Sequence, residues 1–187
     1  MHNTVEKLLL IATAIVVVSA SAATPSSAQG YPFSQRGSVS QTVAFTDISI
    51  EYGRPTARGR KLFGELVPWD SVWHPGADQA TRISIKRDIV LEKQPVRKGT
   101  YTIWLIPREH TPWTFILSRA TNIPHKPYPG AAMDALRVDV MPDQASHIET
   151  LTYFFPAVLK DETTLRLQWG ETGVPIHIKA PYRPNVK

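Results

Sequence analysis

Cysteine is absent from this 187-residue chain. That excludes a disulfide framework, a thiol nucleophile and a lipid-modified cysteine anchor. A domain of this length can rest on its hydrophobic core alone, so the absence does not argue against export. Long apolar runs are also scarce. The longest, Leu8–Val18, falls well short of the roughly 20 residues that span a bilayer as a helix. No Gly-x-Ser-x-Gly, no Gly-Lys-Ser/Thr phosphate loop and no His-Glu-x-x-His occurs, so the motifs of three large enzyme classes are missing. The six histidines lie far apart in sequence, without the close spacing of a typical zinc site, and neither a metal nor a cofactor is expected. There is no internal repeat and no convincing amphipathic helix.

What is present begins with an export signal. Lys7 precedes the apolar run, and small residues from Ser19 to Ala23 follow it, the order of a secretory leader. Residues 1–28 read as a signal peptide cut after Ala28, with a cut after Ala22 as the second choice. Without cysteine, the exported chain fits a bacterial periplasm, or secretion, with no membrane span after cleavage. The net charge is +5, from 21 basic and 16 acidic residues. The basic residues are mostly spread along the chain, which reads as solubility rather than nucleic-acid binding.

Residues 29–37 read as a flexible lead-in, 38–180 as the domain and 181–187 as a tail. Within the domain, apolar residues recur with period two. Val39, Val43 and Phe45, then Ile48, Ile50 and Tyr52, predict a hairpin turning at Thr46-Asp47. Ile83 and Ile85 lead through Arg87-Asp88 to Ile89 and Leu91, and Pro95 and Gly99 bracket a loop. Residues 100–107 are apolar on both faces and predict a central strand covered on both sides. Trp113, Phe115 and Leu117 follow. Residues 120–135, broken by Pro124, Pro127, Pro129 and Gly130, predict an excursion loop with a short helical turn near 131–135. Strands over 136–140, 148–155 and 165–169, a turn at 170–173 and a last strand over 174–178 complete the pattern. About ten short strands predict an all-β, single-domain antiparallel sandwich of Greek-key or jelly-roll type.

One stretch fits no element. Residues 53–81 gather Arg54, Arg58, Arg60, Lys61, Trp69, Trp73, His74, Asp70 and Asp78 among four glycines. Guanidinium groups grip carboxylates and phosphates at two points, and exposed indoles stack on sugar rings. The same residues can instead close the end of a sandwich, with arginines donating to carbonyls that no strand satisfies. Both readings stand at this point. The candidate ligand-binding residues are Arg54, Arg58, Arg60, Trp73, His74 and Asp78, for a small anionic or sugar ligand. His74 with Asp78 is the candidate acid/base pair if the protein is a hydrolase of envelope material. A structural or protein-interaction domain is the third possibility.

The motifs Tyr52-Gly53-Arg54-Pro55, Gly59-Arg60-Lys61-Leu62-Phe63-Gly64, Leu66-Val67-Pro68-Trp69, Val72-Trp73 and Gly76-Ala77-Asp78-Gln79-Ala80-Thr81 resemble the signature of DUF2911, a family of bacterial exported proteins of unknown function. Gly99-Thr100-Tyr101 and Trp113-Thr114-Phe115 are similar to its next segment, so the likeness runs from about Ser38 to Lys179. His74 stands where the family pattern has arginine, and Asp78-Gln79 where it has Asn-Glu. The resemblance implies export and a β-rich fold. It supplies no activity, and no catalytic residue is carried over.

Overall fold

Ile48, Ile50 and Tyr52 fall on one face of an extended chain because side chains alternate along it. In the computed structural model, which describes residues 34–181, β2 (Thr46–Arg54) forms there with all three side chains buried. The predicted signal peptide, residues 29–33 and residues 182–187 lie outside the described residues. β1 (Gln35–Val43) runs antiparallel beside β2, with Val43 opposite Thr46. Ala44 and Phe45 join them at φ of 44° and 65°. Positive φ at both central positions marks a type I′ turn, whose twist matches that of the strands. The turn therefore falls two residues before the expected Thr46-Asp47, and β1 takes in residues 35–37 of the expected lead-in.

The other strands are β3 (Arg82–Ile85), β4 (Ile89–Leu91), β5 (Gln94–Val96), β6 (Gly99–Ile106), β7 (Trp113–Ser118), β8 (Asp134–Val140), β9 (Asp143–Phe154) and β10 (Glu162–Lys179). They form two antiparallel sheets, ordered β1-β2-β3-β6-β7-β8 and β5-β4-β10-β9. The described residues thus form an all-β sandwich of ten strands. Ile50, Ile103 and Phe115 of the large sheet and Leu151, Leu167 and Ile176 of the small one share a single buried core. β3 and β6 are neighbours although the β4–β5 hairpin between them belongs to the other sheet.

Two strands depart from expectation. β5 replaces the loop predicted around Pro95. It is the edge of its sheet, so the missing proline N–H breaks no ladder. β10 runs unbroken for 18 residues where a turn at 170–173 was expected. Gly170 takes φ 59° and the pairing with β9 shifts register on both sides of it, so the glycine makes a bulge rather than a reversal.

The outer face of β6 is covered, as expected, though by a loop. Thr102 and Trp104 point away from the core yet are buried. The Thr102 hydroxyl donates to the Ala120 carbonyl (2.9 Å) and accepts from Trp104 Nε1 (3.0 Å). The Tyr128 ring meets Trp104 at 5.3 Å. Within the same excursion, Ala131–Met133 forms one 3₁₀ turn, near the expected helical turn.

Candidate functional site

The irregular stretch begins by docking on β9. Leu151 N–H donates to Pro55 O (2.9 Å) and Ala57 N–H to Glu149 O (2.8 Å). Arg58 and Gly59 then turn the chain at φ of 54° and 68°, with Arg60 N–H returning to Ala57 O (3.2 Å). Further on, the stretch runs beside β6 past the end of β3. Trp73 and Leu105 exchange two backbone bonds of 2.7 and 2.9 Å, and Asp70 N–H donates to Pro107 O (2.8 Å). It thereby satisfies ladder groups that no strand reaches.

Its aromatic rings pack inward. Trp73 stacks on Trp169 of β10 at 6.1 Å, and Phe63 sits 4.8 Å from Trp113 and 6.1 Å from Trp69. Trp69 and Trp73 therefore serve as the plug that the sequence left open. The Pro75 carbonyl accepts from both Thr81 Oγ1 and Tyr153 OH, each at 3.0 Å. His74 Nε2 accepts from Thr81 N–H at 2.5 Å. Gly76 completes the knot, because a Cβ there would lie 2.4 Å from Thr81 Oγ1 and 2.8 Å from His74 Cε1.

Over this framework lies a cleft of about 570 Å³, lined by Arg58, Arg60, Trp73, His74 and Asp78. Five of the six candidates therefore converge. Arg54 is the exception. It straps β2 to β9, donating to Leu151 O (3.4 Å) and Thr152 Oγ1 (3.0 Å). Arg60 has a structural part as well, donating to Ala57 O (2.8 Å) and Thr56 O (2.7 Å). Arg60→Ala is expected to cost about 1 kcal/mol, the net worth of such bonds where the carbonyls can rehydrate. Urea titration of both proteins checks this.

The far wall was missed by sequence reasoning. Trp104, Trp169, His125, Lys126 and Tyr128 all line the cleft. The prolines marked 120–135 as a loop, but no local pattern shows that it folds back on Trp104. The loop is latched to the stretch at Asp78, whose carbonyl receives His125 N–H (3.3 Å) and lies 2.7 Å from His125 Nδ1. Asp78 holds φ 63° to do this. Arg58, Arg60 and Lys126 line the same cleft as Asp78, three positive charges to one carboxylate. Tyr128 donates to Asp134 Oδ1 at 2.6 Å. Burial and this carboxylate raise its phenol pKa, so it stays protonated.

His74 is 4 % exposed. Burial, with His125 nearby, pushes its pKa from 6.5 to about 3. It is neutral in the fold but protonates below pH 6.5 in the unfolded chain, which then binds the extra proton. Stability from this group is therefore present above pH 6.5 and drains away as pH falls toward 3. Each pH unit within that window costs about 1.4 kcal/mol. Unfolding free energies from urea titrations at pH 7.5 and 5.5 should differ by about that much more in the wild type than in His74→Gln. His74 and Asp78 do not make an acid/base pair. Nε2 is engaged by Thr81, and Asp78 meets His125 through its carbonyl. Among the described residues, no three of His, Asp and Glu gather as a metal site requires.

Residues 34–178 match the family described as "Protein of unknown function (DUF2911)". The chain belongs to this family. No curated protein and no solved structure matches it. The DUF2911 match takes in the irregular stretch, the excursion loop and β6, so the whole cleft lies inside it.

Proposed function

We propose that this DUF2911 protein is an exported, non-catalytic binding module whose small ligand, an anion or a sugar, sits in the cleft between residues 55–78 and residues 125–128. The observation that carries the reading is the convergence of five candidate residues on one cleft, where Lys126 joins Arg58 and Arg60 as a third cation and Tyr128 joins Trp73 as a second half-buried ring. The cations supply charge-assisted bonds to a carboxylate or phosphate. Trp73 and Tyr128 supply apolar surface for a ring. A concave site with a few convergent polar groups is the usual form of a small-ligand pocket.

The test is a thermal-shift screen of residues 29–187 against sugars, peptidoglycan fragments, organic acids, phosphates and divalent metals. A ligand that binds only the folded state raises Tm by mass action, about 2.7 kcal/mol of stabilisation at 100 times Kd. The expected result is a hit among the acids, phosphates or sugars that Lys126→Ala and Arg58→Ala both remove without unfolding the domain. The structural reading is favoured by the backbone bonds of Arg54 and Arg60. A screen with no hit would select it.

A further inference from the structure

We propose that His74 is the ligand-selecting donor of the cleft, and that the ligand is a ring-bearing anion, a carboxylate or a phosphate ester, with one oxygen accepting from His74 Nδ1–H. This rests on the reading of the cleft as a ligand site. It adds which atom reads the ligand and what that atom demands.

In a neutral imidazole one ring nitrogen donates and the other accepts. Nε2 of His74 faces the Thr81 amide at 2.5 Å, and an amide N–H can only donate. Nε2 therefore accepts, and the proton sits on Nδ1. That proton has nowhere to go within the protein. Among the described residues, His74 Nδ1 is the one buried side-chain nitrogen or oxygen without a hydrogen-bond partner. A buried donor left unpaired costs about 1–3 kcal/mol. Turning the ring over would break the Thr81 bond and the packing of the ring edge against Gly76. The same tautomer bars Nδ1 from ligating a metal, which needs the bare nitrogen. What Nδ1 calls for is an acceptor oxygen.

The surroundings narrow the class. Arg58, Arg60 and Lys126 outnumber the Asp78 carboxylate around the cleft, which favours an anion. The half-buried Trp73 and Tyr128 offer aromatic surface, which favours a planar or ring-shaped body. The His74 ring is bordered by Trp104 at 5.5 Å and His125 at 5.9 Å. Trp104 is fixed in β6, whereas His125 sits on the excursion loop. The ligand oxygen reaches Nδ1 as residues 125–128 shift outward, and the loop then closes over the ring.

Two substitutions separate the donor from the fold. The side-chain oxygen of Gln overlays Nε2, so His74→Gln keeps the acceptor for Thr81 and removes the donor. The amide nitrogen of Asn overlays Nδ1, so His74→Asn keeps a donor and orphans Thr81. Calorimetric titration of residues 29–187 with benzoate, phenyl phosphate and benzylamine, each on wild type and both variants, gives the readout. The wild type is expected to bind benzoate or phenyl phosphate and to reject benzylamine. The preferred anion assigns carboxylate or phosphate. His74→Gln should weaken that binding about tenfold or more with Tm nearly kept, and His74→Asn should lower Tm while holding Kd within about threefold. Wild-type binding undiminished in His74→Gln, or lost equally in both variants, overturns the role of His74 alone. Benzylamine binding in preference to the anions overturns the anion assignment. No probe binding to the wild type overturns this inference, and the cleft reading beneath it falls with it only if the thermal-shift screen also gives no hit.

Discussion

Trp113→Ala is expected to destabilise the domain by about 3–5 kcal/mol, the range for removing a large buried aromatic. Trp113 is 2 % exposed. Its ring packs 4.8 Å from Phe63 and 6.4 Å from Trp69, and its Nε1 donates to Arg108 O at 2.8 Å. The residue thus joins the β-sandwich core to the irregular stretch that closes it. Truncation leaves a cavity beneath the plug and orphans the Arg108 carbonyl. For a domain of this size the Tm should fall by about 10 °C. Urea denaturation measures the free energy directly. A loss below about 1 kcal/mol would mean that the plug is not packed as described.

Gly53→Ala is expected to act on fold and site together. Gly53 is buried near the end of β2, and a Cβ there would sit 2.3 Å from Ala77 O and 2.9 Å from Ala77 C. Both are backbone atoms and cannot rotate away. Overpacking of this kind typically costs about 1–3 kcal/mol. The displacement falls next to Asp78, the carbonyl that latches His125 and hence the excursion loop. Ligand affinity should therefore drop at least about tenfold at temperatures where the variant is still folded, a loss that simple destabilisation does not produce. Denaturation and ligand titration on the same sample separate the two effects. Unchanged stability and affinity would contradict the close approach of the two backbones.

The sandwich was legible wherever one face of a strand is buried and the other is not. Ile48, Ile50 and Tyr52, or Trp113, Phe115 and Leu117, announce strands by alternation alone. The misses depend on partners that are distant in sequence. Pro95 argues against a strand unless the strand is an edge, and that is a property of sheet order. Gly170 and Gly173 look like a turn until β9 lies alongside and makes Gly170 a bulge. In the site, clustering of charge, indole and glycine within 53–81 pointed to the right segment but not to which side chain enters the cleft. Arg54 ends β2 and reaches to β9, so its nearness in sequence to Arg58 was misleading. His125, Lys126 and Tyr128 were hidden because docking of their loop depends on a tertiary contact with Trp104.

The central claim is that the cleft takes a ligand, and the five tryptophans offer the most direct test. A ¹⁵N-labelled sample of residues 29–187 gives one indole N–H signal per tryptophan, assignable by single Trp→Phe changes. Benzoate and phenyl phosphate are titrated in turn. The indole signals of the half-buried Trp73, which lines the cleft, and of Trp104, whose ring borders His74 at 5.5 Å, should shift together with one shared Kd, while that of Trp113, whose ring packs on Phe63 and Trp69 beneath the plug, stays in place. Shifts confined to other signals, or none with either probe, would contradict the account.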